Sequence, residues 1–227
     1  MANEKNSSEV PCKGFIKSIQ RITRHTFHLK ITSPYFAEME YIPGFTIELF
    51  IDDQHIEHRK YSIWNYEPVQ NSIDVAICTF SNGKGAHWVH TLEAGDTVYF
   101  KTPRGKLLID ESADNYVMIG DITALSHLYE INRNLPVGKT VFSFIYAPHQ
   151  RDIFPDIDGS FPFDYHIFSP FDPEAITSKM ALLLPDFNEK RLAYITGAPE
   201  VCQLIKYYFR NEKNWNPEDL RVKAFWR

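Results

Sequence analysis

A single change of rhythm, at Pro103-Arg104-Gly105, divides this 227-residue sequence into two patterns. Before it, short β-rich runs are separated by turn residues: Gly14 to Ile22, Thr26 to Thr32, Phe45 to Ile51, Arg59 to Trp64, Ser72 to Phe80 and Thr97 to Lys101. Six runs of that kind predict a closed or nearly closed antiparallel β-barrel. After it, apolar strands (Tyr116 to Ile119, Thr140 to Tyr146, Tyr165 to Phe168, Leu192 to Thr196, Arg221 to Phe225) alternate with helical stretches (Ala124 to Arg133, Glu174 to Leu183, Glu200 to Phe209). Alternation predicts a parallel sheet covered on both faces. The expected fold is a two-domain α/β protein, with a six-stranded antiparallel barrel over residues 1–110 and a parallel-sheet α/β domain over residues 111–227. Residues 153 to 173, with four prolines, read as an irregular connection within the second domain.

Composition narrows the function classes. A net charge of -5 argues against bulk attraction to nucleic acid or anionic membrane. The polar start, Met1 to Val10, has no signal-peptide core, and no run reaches membrane-spanning length, so a cytoplasmic protein is expected. The three cysteines, Cys12, Cys78 and Cys202, are far apart, which indicates neither a disulfide framework nor a zinc or iron-sulfur site. Redox chemistry would then need an organic cofactor. The 17 Phe and 12 Tyr suit a β-rich core and equally well a stacking surface for a flat ligand.

Two segments carry candidate chemistry. In Arg59-Lys60-Tyr61-Ser62, strand alternation puts Arg59 and Tyr61 on one face, Lys60 and Ser62 on the other. An arginine can fork onto a phosphate, a tyrosine can stack on a ring, and a serine can hydrogen-bond a ring nitrogen. The same four residues also read as an ordinary strand with surface charge and a core tyrosine. Gly83-Lys84-Gly85 leads into a short helix from Ala86 to Leu92, whose free backbone N–H groups suit a phosphate.

With these segments in order, the chain resembles the siderophore-interacting protein family, also called ferric siderophore reductases, within the ferredoxin-NADP reductase superfamily. Arg59-Lys60-Tyr61-Ser62 resembles the superfamily's RxY(S/T) flavin motif, and Gly83-Lys84-Gly85-Ala86-His87-Trp88 the family's GPASRWA phosphate loop. Met118-Ile119-Gly120-Asp121-Ile122-Thr123-Ala124-Leu125 is similar to GDxTALP, Thr196-Gly197-Ala198-Pro199-Glu200 to a later Gly-rich turn, and Ala224-Phe225-Trp226-Arg227 to GYWR. The resemblance implies FAD, with Arg59 on its phosphate, Tyr61 stacked on the isoalloxazine and Ser62 near N5. Gly83, Gly85 and Ala86 would offer amides to the pyrophosphate, with Lys60, Lys84, His87 and Trp88 alongside. Gly120, Asp121, Thr123, Ala124, Gly197 and Ala198 would border the nicotinamide crevice, and Trp226 would also contact the cofactor. Tyr61, Ser62, Asp121 and Thr123 are the expected catalytic set. Ala86 for the family's serine removes one phosphate hydrogen bond, for which Lys84 could substitute by charge; His87 replaces an arginine and Ser126 a proline.

The implied activity is electron transfer from NADPH or NADH through FAD to a ferric siderophore, releasing ferrous iron. The alternatives are a flavin-carrying siderophore-binding module reduced by a partner such as ferredoxin, and a general ferredoxin or flavodoxin reductase. His149-Gln150-Arg151, after the second apolar strand of the α/β domain, reads either as a 2′-phosphate site favouring NADPH or as a solvated loop. Lys60, Lys84, Lys101, Arg104 and Lys106 form a candidate landing zone for acidic chelates. No protein-bound metal is expected: the i, i+3 pairs His25/His28 and His55/His58 fall on opposite strand faces, and His87/His90 suits solvent or an anion.

Overall fold

The structure, a computed structural model, describes residues 10–187 and 190–225. Strands β1 (Cys12–Thr23), β2 (Thr26–Thr32), β3 (Thr46–Phe50), β4 (His58–Glu67), β5 (Ser72–Cys78) and β6 (Thr97–Arg104) close into an antiparallel barrel in the order β1-β2-β5-β4-β3-β6. Closure leaves no unpaired edge, and inward residues such as Leu29, Ile31, Ile47, Leu49, Val75, Ile77 and Phe100 fill the interior completely. Strands β4 and β6 run three residues beyond the expected ends. In β6 the register against β3 shifts between Thr46↔Arg104 and Glu48↔Lys101, so an extra residue bulges beside Pro103 and the strand continues past it.

The short helix α1 (Lys84–Val89) starts earlier than the glycines suggest, with extended Gly83 as its cap and Gly85 inside its first turn. It also ends before Leu92, where the Thr91 hydroxyl donates to the Trp88 carbonyl at 2.8 Å.

Strands β7 (Asn115–Asp121), β8 (Thr140–Ala147), β9 (Tyr165–Ile167), β10 (Arg191–Gly197) and β11 (Leu220–Ala224) form a parallel sheet in the order β11-β10-β7-β8-β9. Period-2 alternation splits β7 between two cores. Tyr116 and Met118 pack with Leu125, Leu128 and Ile131 of α2 (Leu125–Asn134). Val117 and Ile119 pack with Ile176 and Met180 of α3 (Pro173–Leu183) and with Val201 and Ile205 of α4 (Pro199–Tyr207). Asp172 caps α3 by accepting from the Glu174 and Ala175 backbones at 3.0 Å. Helix α4 passes into one π turn, Tyr208–Glu212, where the sequence pattern predicts plain helix as far as Phe209.

A buried polar cluster rivets sheet to barrel. Arg133 of α2 donates to Glu130, to Asp156 and to the Trp64 carbonyl of β4. The Trp64 indole N–H donates to Asp156 Oδ1 at 2.8 Å, and the Tyr41 hydroxyl donates to Glu130 at 2.7 Å. Asp156 lies in the connection expected to be irregular, which does lack regular structure between residues 153 and 164 but is anchored by buried Phe154 and Phe163. Among the described residues, no helix is long and apolar enough to cross a membrane.

Candidate functional site

A cavity of about 690 Å³ opens where the barrel meets the carboxyl ends of β7 and β8. Ligands of open α/β sheets bind at that end of the strands. Arg59, Lys60, Tyr61 and Ser62 of β4 line one wall together with Gly83, Gly85 and Ala86. Asp121, Ile122, Thr123 and Ser126 line the other, with Tyr146 of β8. Phe80, Phe168, Phe171 and Phe225 complete the lining and give the cleft aromatic surfaces.

The barrel wall presents its groups. Arg59 is exposed, donates to the His58 carbonyl at 2.8 Å, and pairs with no carboxylate among the described residues. Tyr61 is half-buried, and burial pushes its phenol well above the ordinary range. Gly85 is what allows α1 to approach: a Cβ there would stand 2.5 Å from the Tyr61 hydroxyl oxygen and 3.2 Å from Arg59 Cγ. Lys60 lies across from Glu48 in the β3–β4 register and pairs with it at 2.7 Å, and Lys101 and His58 reach the same carboxylate. Burial opposes ionisation of Glu48, but Lys60 and Lys101 outweigh it and hold its carboxyl below the usual range. Cys78 lines the cavity as an inert thiol, pushed up to about 12 by burial.

The sheet wall is tied together internally. Asp121 Oδ1 accepts from the Thr123 backbone at 2.8 Å and from its hydroxyl, fixing the turn into α2. Gly197 has φ +105°, and a Cβ there would stand 2.9 Å from the Asp121 backbone nitrogen, so only glycine fits. The Ala198 N–H donates to the Tyr146 hydroxyl at 3.2 Å. Gly120 sits behind the wall, with Thr196 and Leu128 filling the space over it, and Ala124 is fully buried at the start of α2. Thus Gly120, Ala124, Gly197 and Ala198 shape the cavity from behind its lining.

Several expected positions fall elsewhere. Lys84 pairs with Glu57 and does not line the cavity. His87 is exposed off the cavity, and Trp88 packs against the barrel core. Arg151 is exposed on the 3-10 turn Gln150–Asp152 and does not line the cavity. Trp226 lies outside the described residues.

The chemistry of the lining fits FAD: an exposed guanidinium with no carboxylate partner among the described residues for phosphate, an aromatic platform, a hydroxyl, and a glycine cradle against the helix. Comparison with known proteins bears on the same point. Residues 113–227 match the family model described as siderophore-interacting protein. The chain belongs to that family. Residues 14–109 match the oxidoreductase FAD-binding domain, so the siderophore-interacting fold here is that of an FAD-binding, reductase-like flavoprotein. The siderophore-interacting protein SipS from Aeromonas hydrophila is 16% identical with a TM-score of 0.82, covering 96% of this chain and 91% of that one. A siderophore utilization protein from T. fusca is 16% identical, TM-score 0.76, covering 96% and 93%. A mutant ferredoxin-NADP+ reductase from Plasmodium falciparum is 17% identical, TM-score 0.76, covering 99% and 98%, and shares the fold.

Three features of the cleft have no counterpart in the sequence motifs. His127, on the first turn of α2, bonds Ser62 from behind the cleft. Lys223 of β11 lies over the Phe225 ring at 5.1 Å, and the aromatic lining combines Phe80, after β5, with Phe168 and Phe171, between β9 and α3. A histidine among the apolar positions of an amphipathic helix is the one local signal that points to the first; the others depend on how distant segments pack.

Proposed function

We propose that the protein is an NAD(P)H-dependent ferric siderophore reductase that carries electrons through FAD to a ferric chelate and releases ferrous iron. The observation that carries this reading is the single cavity joining the Arg59-Lys60-Tyr61-Ser62 segment to the Asp121–Thr123 turn at the carboxyl end of the parallel sheet. Bound there, FAD supplies the exchange between a two-electron hydride donor and a one-electron ferric acceptor. Arg59 holds its phosphate, the backbone at Gly83, Gly85 and Ala86 lies alongside, Tyr61 supports the ring and Ser62 faces its edge. The Asp121–Thr123 turn orients the nicotinamide, and the surrounding phenylalanines exclude water. NADPH is the preferred donor, with exposed Arg151 just beyond β8 as the 2′-phosphate ligand.

An acidic acceptor is supported by the charges beside the cleft. Lys223 is pushed below its ordinary range by burial and then by Lys60 and Lys106, so three cations crowd one edge and an anionic chelate would relieve them. Of the five cations read from sequence as a landing zone, Lys60 and Lys101 are partly neutralised by Glu48 and Lys84 by Glu57. Of the five, that leaves Arg104 and Lys106 without a carboxylate partner among the described residues, and Lys223 adds a cation that the sequence did not single out.

The test is an anaerobic titration of FAD-loaded protein with NADPH and NADH, followed by a ferric hydroxamate or ferric catecholate and a ferrous trap. Flavin absorbance should bleach with nucleotide and return as ferrous iron appears. Bleaching by neither nucleotide, with bleaching by reduced ferredoxin, would favour the partner-fed module.

A further inference from the structure

Ser62 is not held by the barrel alone. Its hydroxyl lies 3.1 Å from Nδ1 of His127, which reaches across from α2 on the other domain. His127 is completely buried, its Nε2 has no hydrogen-bond partner among the described residues, and its ring meets the cavity-lining Phe225 edge-on at 5.4 Å. Ser62 is therefore the ring's one side-chain partner among the described residues, and a buried imidazole is held by the polar groups it meets. We infer that His127 is a positioning residue that orients the Ser62 hydroxyl toward the flavin edge and so sets the balance between oxidised and reduced flavin. The inference rests on the reading of the cavity as an FAD site.

The chemistry of the pair fits that role. A neutral imidazole offers one donor and one acceptor, and a serine hydroxyl offers one proton and two lone pairs. Whichever way Nδ1 is used, it fixes what Ser62 has left for the cavity: a free O–H when Nδ1 donates, free lone pairs when Nδ1 accepts. Flavin N5 accepts a hydrogen bond when oxidised and carries an N–H donor when reduced, so the orientation imposed on Ser62 discriminates between the two states. Burial, with the Lys223 charge and against the Leu107 backbone, pulls the His127 pKa down to about 3, so the ring does this without carrying charge. Lys223, Lys60 and Lys106 are the charges clustered on that side.

The experiment measures FAD affinity and the midpoint potential of bound FAD, by spectroelectrochemical titration, in wild type, His127→Leu, His127→Asn, Ser62→Ala and the Ser62→Ala/His127→Leu pair. Leucine preserves the buried volume, and the asparagine amide nitrogen stands near the position of Nδ1. His127→Leu and Ser62→Ala should each change the ratio of affinities for oxidised and reduced flavin in the same direction, by about tenfold, or about 30 mV for a two-electron couple. The pair should change it no further than Ser62→Ala alone, and His127→Asn should stay near wild type. A purely structural role would leave the potential unmoved or shift it equally in the Ser62→Ala background, and either result overturns the inference. Wild type that takes no FAD overturns the functional reading and this inference with it, whereas FAD bound at a potential indifferent to His127 overturns this inference alone.

Discussion

On the barrel wall of the cleft, Arg59, Tyr61 and Ser62 point their own side chains at the cavity, and Gly85 only makes room for them. On the sheet wall the motif residues spend their polar groups on each other: Asp121 on Thr123, Ala198 on Tyr146, and Gly197 on the backbone strain of the turn. The first wall can bind a ligand at little cost to folding, because the Arg59 guanidinium is exposed and pairs with no carboxylate among the described residues. The second must fold correctly before it can present anything. Substitutions on the sheet wall should therefore register as lost stability, and substitutions on the barrel wall as lost affinity.

The largest effect is expected at the joint between them. Arg133→Met strands Glu130 and Asp156 in the interior, where burial already holds Glu130 above its ordinary range despite Tyr41 and Arg133. Removing one partner of a buried ion pair costs about 3 kcal/mol, so denaturant unfolding should show a loss of that order together with weakened FAD binding. Retained stability would mean that the rivet does not hold the walls in register.

Gly197→Ala comes next. It forces a side chain into φ +105° and against the Asp121 backbone, which should cost about 1–3 kcal/mol in unfolding free energy even without ligand. Arg59→Ala should instead leave the melting temperature of the ligand-free protein nearly unchanged. Losing a charge-assisted phosphate contact of about 1.5–3 kcal/mol would weaken FAD roughly tenfold to a hundredfold. An Arg59 variant as unstable as the Gly197 variant would break the distinction between the walls.

The barrel's segments were legible because their signals are local. Alternation in Arg59-Lys60-Tyr61-Ser62 separates Lys60, opposite Glu48, from Tyr61, opposite Ile47, although residues of both faces line the one cavity. Strand and helix alternation likewise exposes the sheet. What stayed hidden are the pairings that depend on docking: Trp64 with Asp156 lies 92 residues apart in sequence, and Ser62 with His127 lies 65 apart. Lys84 looked like a free cation because Glu57, its partner, sits 27 residues upstream on a different loop. Periodicity reports which face a residue occupies, not which distant group meets it there.

The smallest effect is a pH dependence on the barrel side. The folded-state pKa of Glu48 lies below its ordinary 4.5, so its ionised form stabilises the fold above that value and the contribution fades as pH falls through the folded pKa. Glu130 is shifted the other way, so its contribution is present at low pH and fades as pH rises. Glu48→Gln should therefore flatten the decline in unfolding free energy on acidification below pH 4.5, measured by denaturant titration. An unchanged decline would place the acid sensitivity elsewhere.

The account turns on one cavity being an FAD site shared by both walls, and a fluorescence titration of ligand-free protein with FAD tests it most directly. Saturable quenching of FAD fluorescence at one equivalent, weakened by Arg59→Ala, is the predicted result. No binding by folded wild-type protein, or binding indifferent to Arg59, would contradict it.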